Sequence, residues 1–190
     1  MTLFWSMWFK FVMAATSLLP DVKHTMQLRG YLVGPVLDSC GKNFQLVCDV
    51  RIAHIQKLTV GDDVYFSGGV WILAGDPVVI EDQVMLGPYS VVISGDHSRV
   101  GGSWRFGAAL REPILIKRGA WVGAHGVVTK GVTIGAGSCV AAGGVVTEDI
   151  PDDVIGQPAG YISGNCDHPF LIQPHDGTDP AAQRNSRQTR

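Results

Sequence analysis

One aliphatic or aromatic residue returns every six positions through most of this chain, and that period constrains the fold more than any other feature. In a first block Val60, Phe66, Ile72, Ile80, Leu86 and Val92 fall six apart, with one two-residue insertion at Pro77 and Val78. In a second block Ile116, Val122, Val128, Ile134, Val140 and Val146 never break step. Leu46 and Ile52 carry the phase backward, so the repeat is expected to begin near Gly41. Six is neither the 3.6 of an amphipathic helix nor the 2 of a plain alternating strand. A short strand followed by a tight corner accounts for it. Three such units close a triangular coil of about 18 residues, and stacked coils pair their strands at about 4.8 Å while the aliphatic knobs fill the interior. Composition agrees: 24 glycines, 10 prolines and only 17% charged residues describe a chain that turns often and solvates little of itself.

Around the repeat the chain divides into three parts. Residues 1–40 open with an apolar segment, in which Met1 to Leu19 carry Phe4, Trp5, Trp8, Phe9 and Phe11 around a central Lys10. No uninterrupted run there reaches the roughly 20 residues of a spanning helix. The segment therefore reads either as a helix lying in a membrane interface or as one capping the first coil. Residues 41–162 form the coils, interrupted at Ser98 to Arg111, where paired glycines (Gly101, Gly102) and charges argue for a loop extruded from the scaffold. Residues 163–190 are an extension, expected to be disordered from about residue 176, where no apolar side chain larger than alanine remains. The formal charge of -2, with no long basic run, excludes the phosphate-tracking surface of a nucleic-acid binder. Four cysteines without a C-x-x-C pair or metal-ligand spacing suit a reduced, cytoplasmic setting.

The second block carries further motifs. His97 stands in Ser94-Gly95-Asp96-His97 just before the extruded loop, followed by Pro113-Ile114-Leu115-Ile116, Trp121-Val122-Gly123, Lys130-Gly131-Val132-Thr133-Ile134-Gly135, Asp149-Ile150-Pro151 and Gly156-Gln157-Pro158-Ala159. This pattern resembles the hexapeptide-repeat acyltransferases, and within them the sugar O-acetyltransferase branch of the galactoside and maltose acetyltransferases. The resemblance covers roughly residues 41–162. It implies a left-handed parallel β-helix, acetyl-CoA as co-substrate, a sugar or glycan acceptor, and a homotrimer with the site between neighbouring subunits. It also implies that His97 is the general base, and an imidazole, whose ordinary pKa lies near 6.5, is chemically suited to take a hydroxyl proton near neutral pH.

By position the resemblance places Trp121, Ala124, Ala142 and Thr147 along the coenzyme. The family's usual cations are replaced by Glu148 and Gly160, so Lys130, Lys117 and Arg118 become the candidates for the 3′-phosphate. On the acceptor side, Tyr89 stands where the family has an asparagine, Asp76 is the only candidate for the family's acidic acceptor contacts in the preceding coil, and Trp104 and Arg105 come from the loop. Cys139 lacks a placed base that would make it a nucleophile. His125 with His97 falls short of the three convergent ligands a zinc site needs, so no metal is expected. The openings of the chain, Met1 to Leu19 and Leu28 to Leu32, resemble acetyltransferases that decorate polysaccharide units, which sets the expected location at the inner face of the membrane. Two alternatives stand beside this reading: N-acetylation of a nucleotide-linked amino sugar, and a non-catalytic β-helix serving as a membrane-bound assembly scaffold. A scaffold would have no use for a base facing an acceptor groove.

Overall fold

The computed structural model describes residues 2–157 and 160–162. Three walls of short parallel strands wind into a left-handed parallel β-helix of about five turns. The first wall stacks Ser39–Cys40, Leu58–Val60, Val78–Ile80, Ile114–Ile116 and Thr133–Ile134. The second stacks Gln45–Leu46, Tyr65–Phe66, Met85–Leu86, Trp121–Val122, Cys139–Val140 and Ile155–Gln157, and the third stacks Arg51–Ala53, Trp71–Leu73, Val91–Ile93, Val127–Val128 and Val145–Val146. All twelve residues of the sixfold phase are buried in one continuous core. Two positions before each of them a second residue turns inward, as in Val64, Val70, Val84, Ala120 and Val132. Ser90 and Ser138 take the same slot. Ser138 is satisfied there, donating to the Pro151 carbonyl at 2.6 Å and accepting from Val154 N–H at 3.1 Å.

Coil length differs from expectation. Thr59 pairs with both Ser39 and Val79, twenty residues away on either side, whereas Leu115 pairs with Thr133, eighteen away. The first coils thus carry two extra residues each. One insertion is the 3₁₀ turn Ile55–Lys57, which makes the step from Ile52 to Val60 eight rather than six. The other lies at the Gly75–Pro77 corner, because Val78 itself is a buried strand residue. Strand pairing begins at Ser39, slightly ahead of Gly41.

Two helices close the first coil. Helix α1 (Thr2–Thr16) lays Phe9, Val12 and Met13 into the core, which favours the capping reading of this segment, while Leu3, Phe4, Met7 and Phe11 stay exposed. No helix among the described residues is long and apolar enough to cross a membrane. Helix α2 (Lys23–Val33) lies against Gln45–Leu46, so closely that a Cβ at Gly30 would fall 1.9 Å from the Phe44 carbonyl oxygen. Fully buried Arg29 ties these parts together. Its guanidinium donates to Thr16 Oγ1 (3.0 Å), to the carbonyls of Thr16 (2.9 Å) and Leu19 (3.1 Å), and to Asp21, whose carboxylate also accepts from Cys48 N–H. At the other end Ile155–Gln157 pairs antiparallel with Gly160–Ile162. The extension from residue 163 lies outside the described residues.

The knobs make stability local and strong. Ile134→Ala removes a fully buried side chain from a wall-to-wall contact, and denaturant unfolding is expected to show a loss of about 2–5 kcal/mol.

Candidate active site

After Ile93 the chain leaves the scaffold. Buried Ser94 fixes the exit: its N–H donates to the Leu73 carbonyl at 3.1 Å, its Oγ donates to the Asp76 carbonyl at 2.8 Å, and the same oxygen accepts from Asp76 N–H at 2.9 Å. An antiparallel hairpin then runs out through Gly95–His97 and back through Ala109–Arg111. Ile114 returns to stack directly on Val78, so the whole excursion interrupts one coil without displacing its neighbours. The hairpin starts three residues earlier than the expected loop, and His97 stands inside its outgoing strand rather than ahead of it. The imidazole is exposed and its ring takes no hydrogen bond among the described residues, while the His97 backbone N–H donates to Asp96 Oδ1 at 2.7 Å. A rigid exit with an unengaged imidazole beyond it is a geometry from which a base can reach a substrate.

The other candidates fall on all three corners. Between the third and first walls, beside the hairpin, lie Asp76, Lys130 and Thr147. Asp76 sits 4.0 Å from Lys57 Nζ, and Lys130 forms an ion pair with Glu112, the residue one coil below it. Thr147 is exposed. Between the second and third walls lie Tyr89, Ala124 and Ala142. Tyr89 and His125 both adopt the left-handed region (φ 56° each) and stack face to face, 5.3 Å between ring centres and 9° between planes. Ala124 and Ala142 occupy successive turns, where Gly143 N–H donates to the Ala124 carbonyl at 2.8 Å. Trp121 projects from the outer face of the second wall between Met85 and Cys139.

Lys117 and Arg118 occupy the remaining corner, between the first and second walls. Lys117 lies 3.0 Å from Asp152, and Lys117 together with the Ala136 N–H holds the Asp152 carboxyl below its usual range. Arg118 Nε donates to Gln83 at 3.4 Å. Within one chain, therefore, Lys130 stands on a different edge from Lys117 and Arg118, and both lysines already face a carboxylate. Trp104 and Arg105 are exposed near the hairpin tip, with the Arg105 guanidinium 5.8 Å from the Phe106 ring centre. His97 and His125 lie on different corners, and no group of three or more His, Cys, Asp or Glu side chains converges as metal ligands among the described residues.

Burial, and next the Asp62 carboxylate, pushes the Cys40 thiol up; burial, followed by Asp21, does the same for Cys48. Cys40 lines a cleft of about 890 Å³ between α2 and the first coil, with Tyr31, Leu37 and Phe44 among its neighbours. That cleft belongs to the first coil, whereas the His97 hairpin leaves the third.

No family model matches the chain. It is 28% identical to the galactoside O-acetyltransferase of Escherichia coli over 130 residues, which make up 68% of this chain and 64% of the relative, so the chain spans a little under two thirds of that protein's length. The crystal structure of a hexapeptide-repeat containing acetyltransferase from Vibrio cholerae superposes with a TM-score of 0.71 at 25% identity, covering 86% of this chain and 92% of that one. A galactoside acetyltransferase solved in complex with coenzyme A shares the fold at a TM-score of 0.75 and 23% identity, covering 92% and 88%.

Proposed function

We propose that this chain, similar in sequence and fold to hexapeptide-repeat and galactoside acetyltransferases, transfers acetyl from acetyl-CoA to a hydroxyl of a sugar or polysaccharide unit, with His97 as the general base. The observation that carries this reading is the exposed, unengaged imidazole on a hairpin clamped to a rigid coil by Ser94. His97 takes the hydroxyl proton as the acceptor oxygen attacks the thioester carbonyl. The tetrahedral adduct then collapses, the carbon–sulfur bond breaks, and coenzyme A leaves as the thiol with the proton returned by the imidazolium. No covalent acyl-enzyme is needed, so Cys139 has no step to perform. The same base and co-substrate would serve N-acetylation of an amino sugar, but an uncharged amine needs less help from a base than a hydroxyl does.

The coenzyme would run along the coils of the second block past Trp121, Ala124, Ala142 and Thr147, with Lys130, Lys117 and Arg118 as the candidate cations for its 3′-phosphate. Those residues occupy separate edges of one chain, and a homotrimer with sites between neighbouring subunits would allow separate edges to meet. Tyr89, Asp76, Trp104 and Arg105 would line the acceptor side. The exposed apolar face of α1 is the surface through which peripheral membrane contact would be made. The test is mass spectrometry of oligosaccharides incubated with acetyl-CoA and the purified protein. A mass gain of one acetyl group, released by mild base as an ester, is expected. Absence of any acetylated product across neutral, acidic and amino-sugar acceptors would favour the scaffold.

A further inference from the structure

The two strands of the hairpin pair Gly95 with Arg111, Asp96 with Leu110 and His97 with Ala109, and the register runs one residue further because Ser98 N–H donates to the Ala108 carbonyl at 2.9 Å. Residues directly opposite share a face of the ribbon, and faces alternate along each strand. Arg111 and His97 therefore share one face, and Arg99 stands two residues past His97, beyond the paired strand, with its guanidinium 3.9 Å from where a Cβ would stand at Gly102 near the hairpin tip. The residues opposite them are small. Gly95 faces Arg111, Ala109 faces His97, and Gly107 packs against the backbone of Ser98. Along the hairpin His97 thus stands between Arg111 at the base and Arg99 toward the tip, opposite residues with little side-chain bulk.

Neither arginine is occupied. Both are exposed, and neither forms an ion pair with a carboxylate among the described residues. The nearby acids are otherwise engaged: Glu112 with Lys130, Asp76 beside Lys57, and Asp96 with the His97 N–H. Arg111 is also held in place. Its Cγ, Cδ and Nε lie 3.6–3.8 Å from where a Cβ would stand at Gly75, so the side chain runs in van der Waals contact along that corner. Residues 95–111 contain three arginines and one acid in a chain whose net charge is -2. A planar guanidinium offers paired donors that match a carboxylate or phosphate, and two of them bracketing a base select for a ligand with negative charge beside the reacting atom.

We propose that Arg99 and Arg111 read an oxyanion on the acceptor, so that the unit acetylated carries a carboxylate or a phosphate close to the hydroxyl that His97 deprotonates. This rests on the acetyl-transfer reading above and adds the substrate class. The experiment compares three acceptors of one disaccharide skeleton: a hexuronate form, its carboxyl-reduced neutral counterpart, and a phosphorylated form. The wild-type protein is expected to prefer one of the charged forms over the neutral one by about tenfold or more in kcat/KM. Which form wins identifies the source of the oxyanion. In Arg99→Gln/Arg111→Gln that preference should collapse through a rise in acceptor KM, while the KM for acetyl-CoA stays where it was.

Equal use of charged and neutral acceptors by the wild type would overturn the proposal. So would a double variant that keeps its discrimination but shows a raised acetyl-CoA KM, since the arginines would then serve the coenzyme's phosphates. Saturation-transfer NMR of the same three disaccharides, without acetyl-CoA, separates the two levels of inference. Charged-selective binding that disappears in the double variant supports the arginines even where no acetyl is transferred, in which case only the acetyl-transfer reading fails.

Discussion

Replacing His97 with alanine is expected to lower acetyl transfer by about 10² to 10⁴ while leaving acetyl-CoA affinity and the unfolding midpoint nearly unchanged. The split follows from position. His97 projects from the hairpin, outside the core, so its removal opens no cavity in the stacked coils. A positioned base contributes to the transition state in which the hydroxyl proton moves and contributes little to holding the coenzyme. Steady-state kinetics, calorimetric titration with acetyl-CoA and a thermal melt measure the three quantities separately. Wild-type turnover in the alanine variant would remove the mechanism and return the scaffold to first place.

The second large effect concerns folding. Arg29→Ala is expected to destabilise the protein by about 3–5 kcal/mol in denaturant titration, since it removes a fully buried side chain and strands the groups bonded to it. The Leu19 carbonyl would lose the guanidinium, the Thr16 carbonyl would keep only the Leu19 N–H at 3.1 Å, and Asp21 would keep the Cys48 N–H and thiol as partners. Arg29→Met fills much of the same volume without the five donors, so its cost reports the polar network with the packing largely retained. The damage should be directional. Each coil touches only its neighbours, so hydrogen exchange should quicken first in α1, α2 and the Gln45–Leu46 edge and least in the coils beyond the hairpin. Uniform acceleration along the chain would contradict this.

How much of this was legible beforehand varies with the kind of signal. The twelve knobs from Val60 to Val146 announce themselves because large aliphatic residues at a fixed interval have no other explanation, and each is buried. The second inward row is legible only in part, since Val64, Val70, Val84 and Val132 are aliphatic whereas Ala120, Ser90 and Ser138 are residue types found as readily at a surface. The extra residues of the first coils were half visible: the step from Ile72 to Ile80 shows one insertion, and the equal step from Ile52 to Val60 holds the other. Nothing in the sequence marks the hairpin's true start, because Gly95 and Asp96 have poor strand propensity and the segment pairs only through tertiary placement.

Arg29 left no trace at all, as a lone arginine in a polar helical stretch reads as solvated. The corners, by contrast, were available by counting. Positions 18 apart beyond the hairpin lie one above another, which is why Lys130 meets Glu112. Positions 12 apart lie on different edges, which separates Lys130 from Arg118.

The two ends of the second wall have a bearing on assembly. An open sheet edge offers unpaired N–H and C=O groups to any similar edge, and a parallel β-helix has such an edge at each end by construction. Here α2 covers Gln45–Leu46 at one end, with Gly30 pressed onto the neighbouring backbone at Phe44, and at the other the strand Ile155–Gln157 is paired by a segment running the opposite way. Along this wall the molecule is stoppered against growing into a fibre by end-to-end stacking.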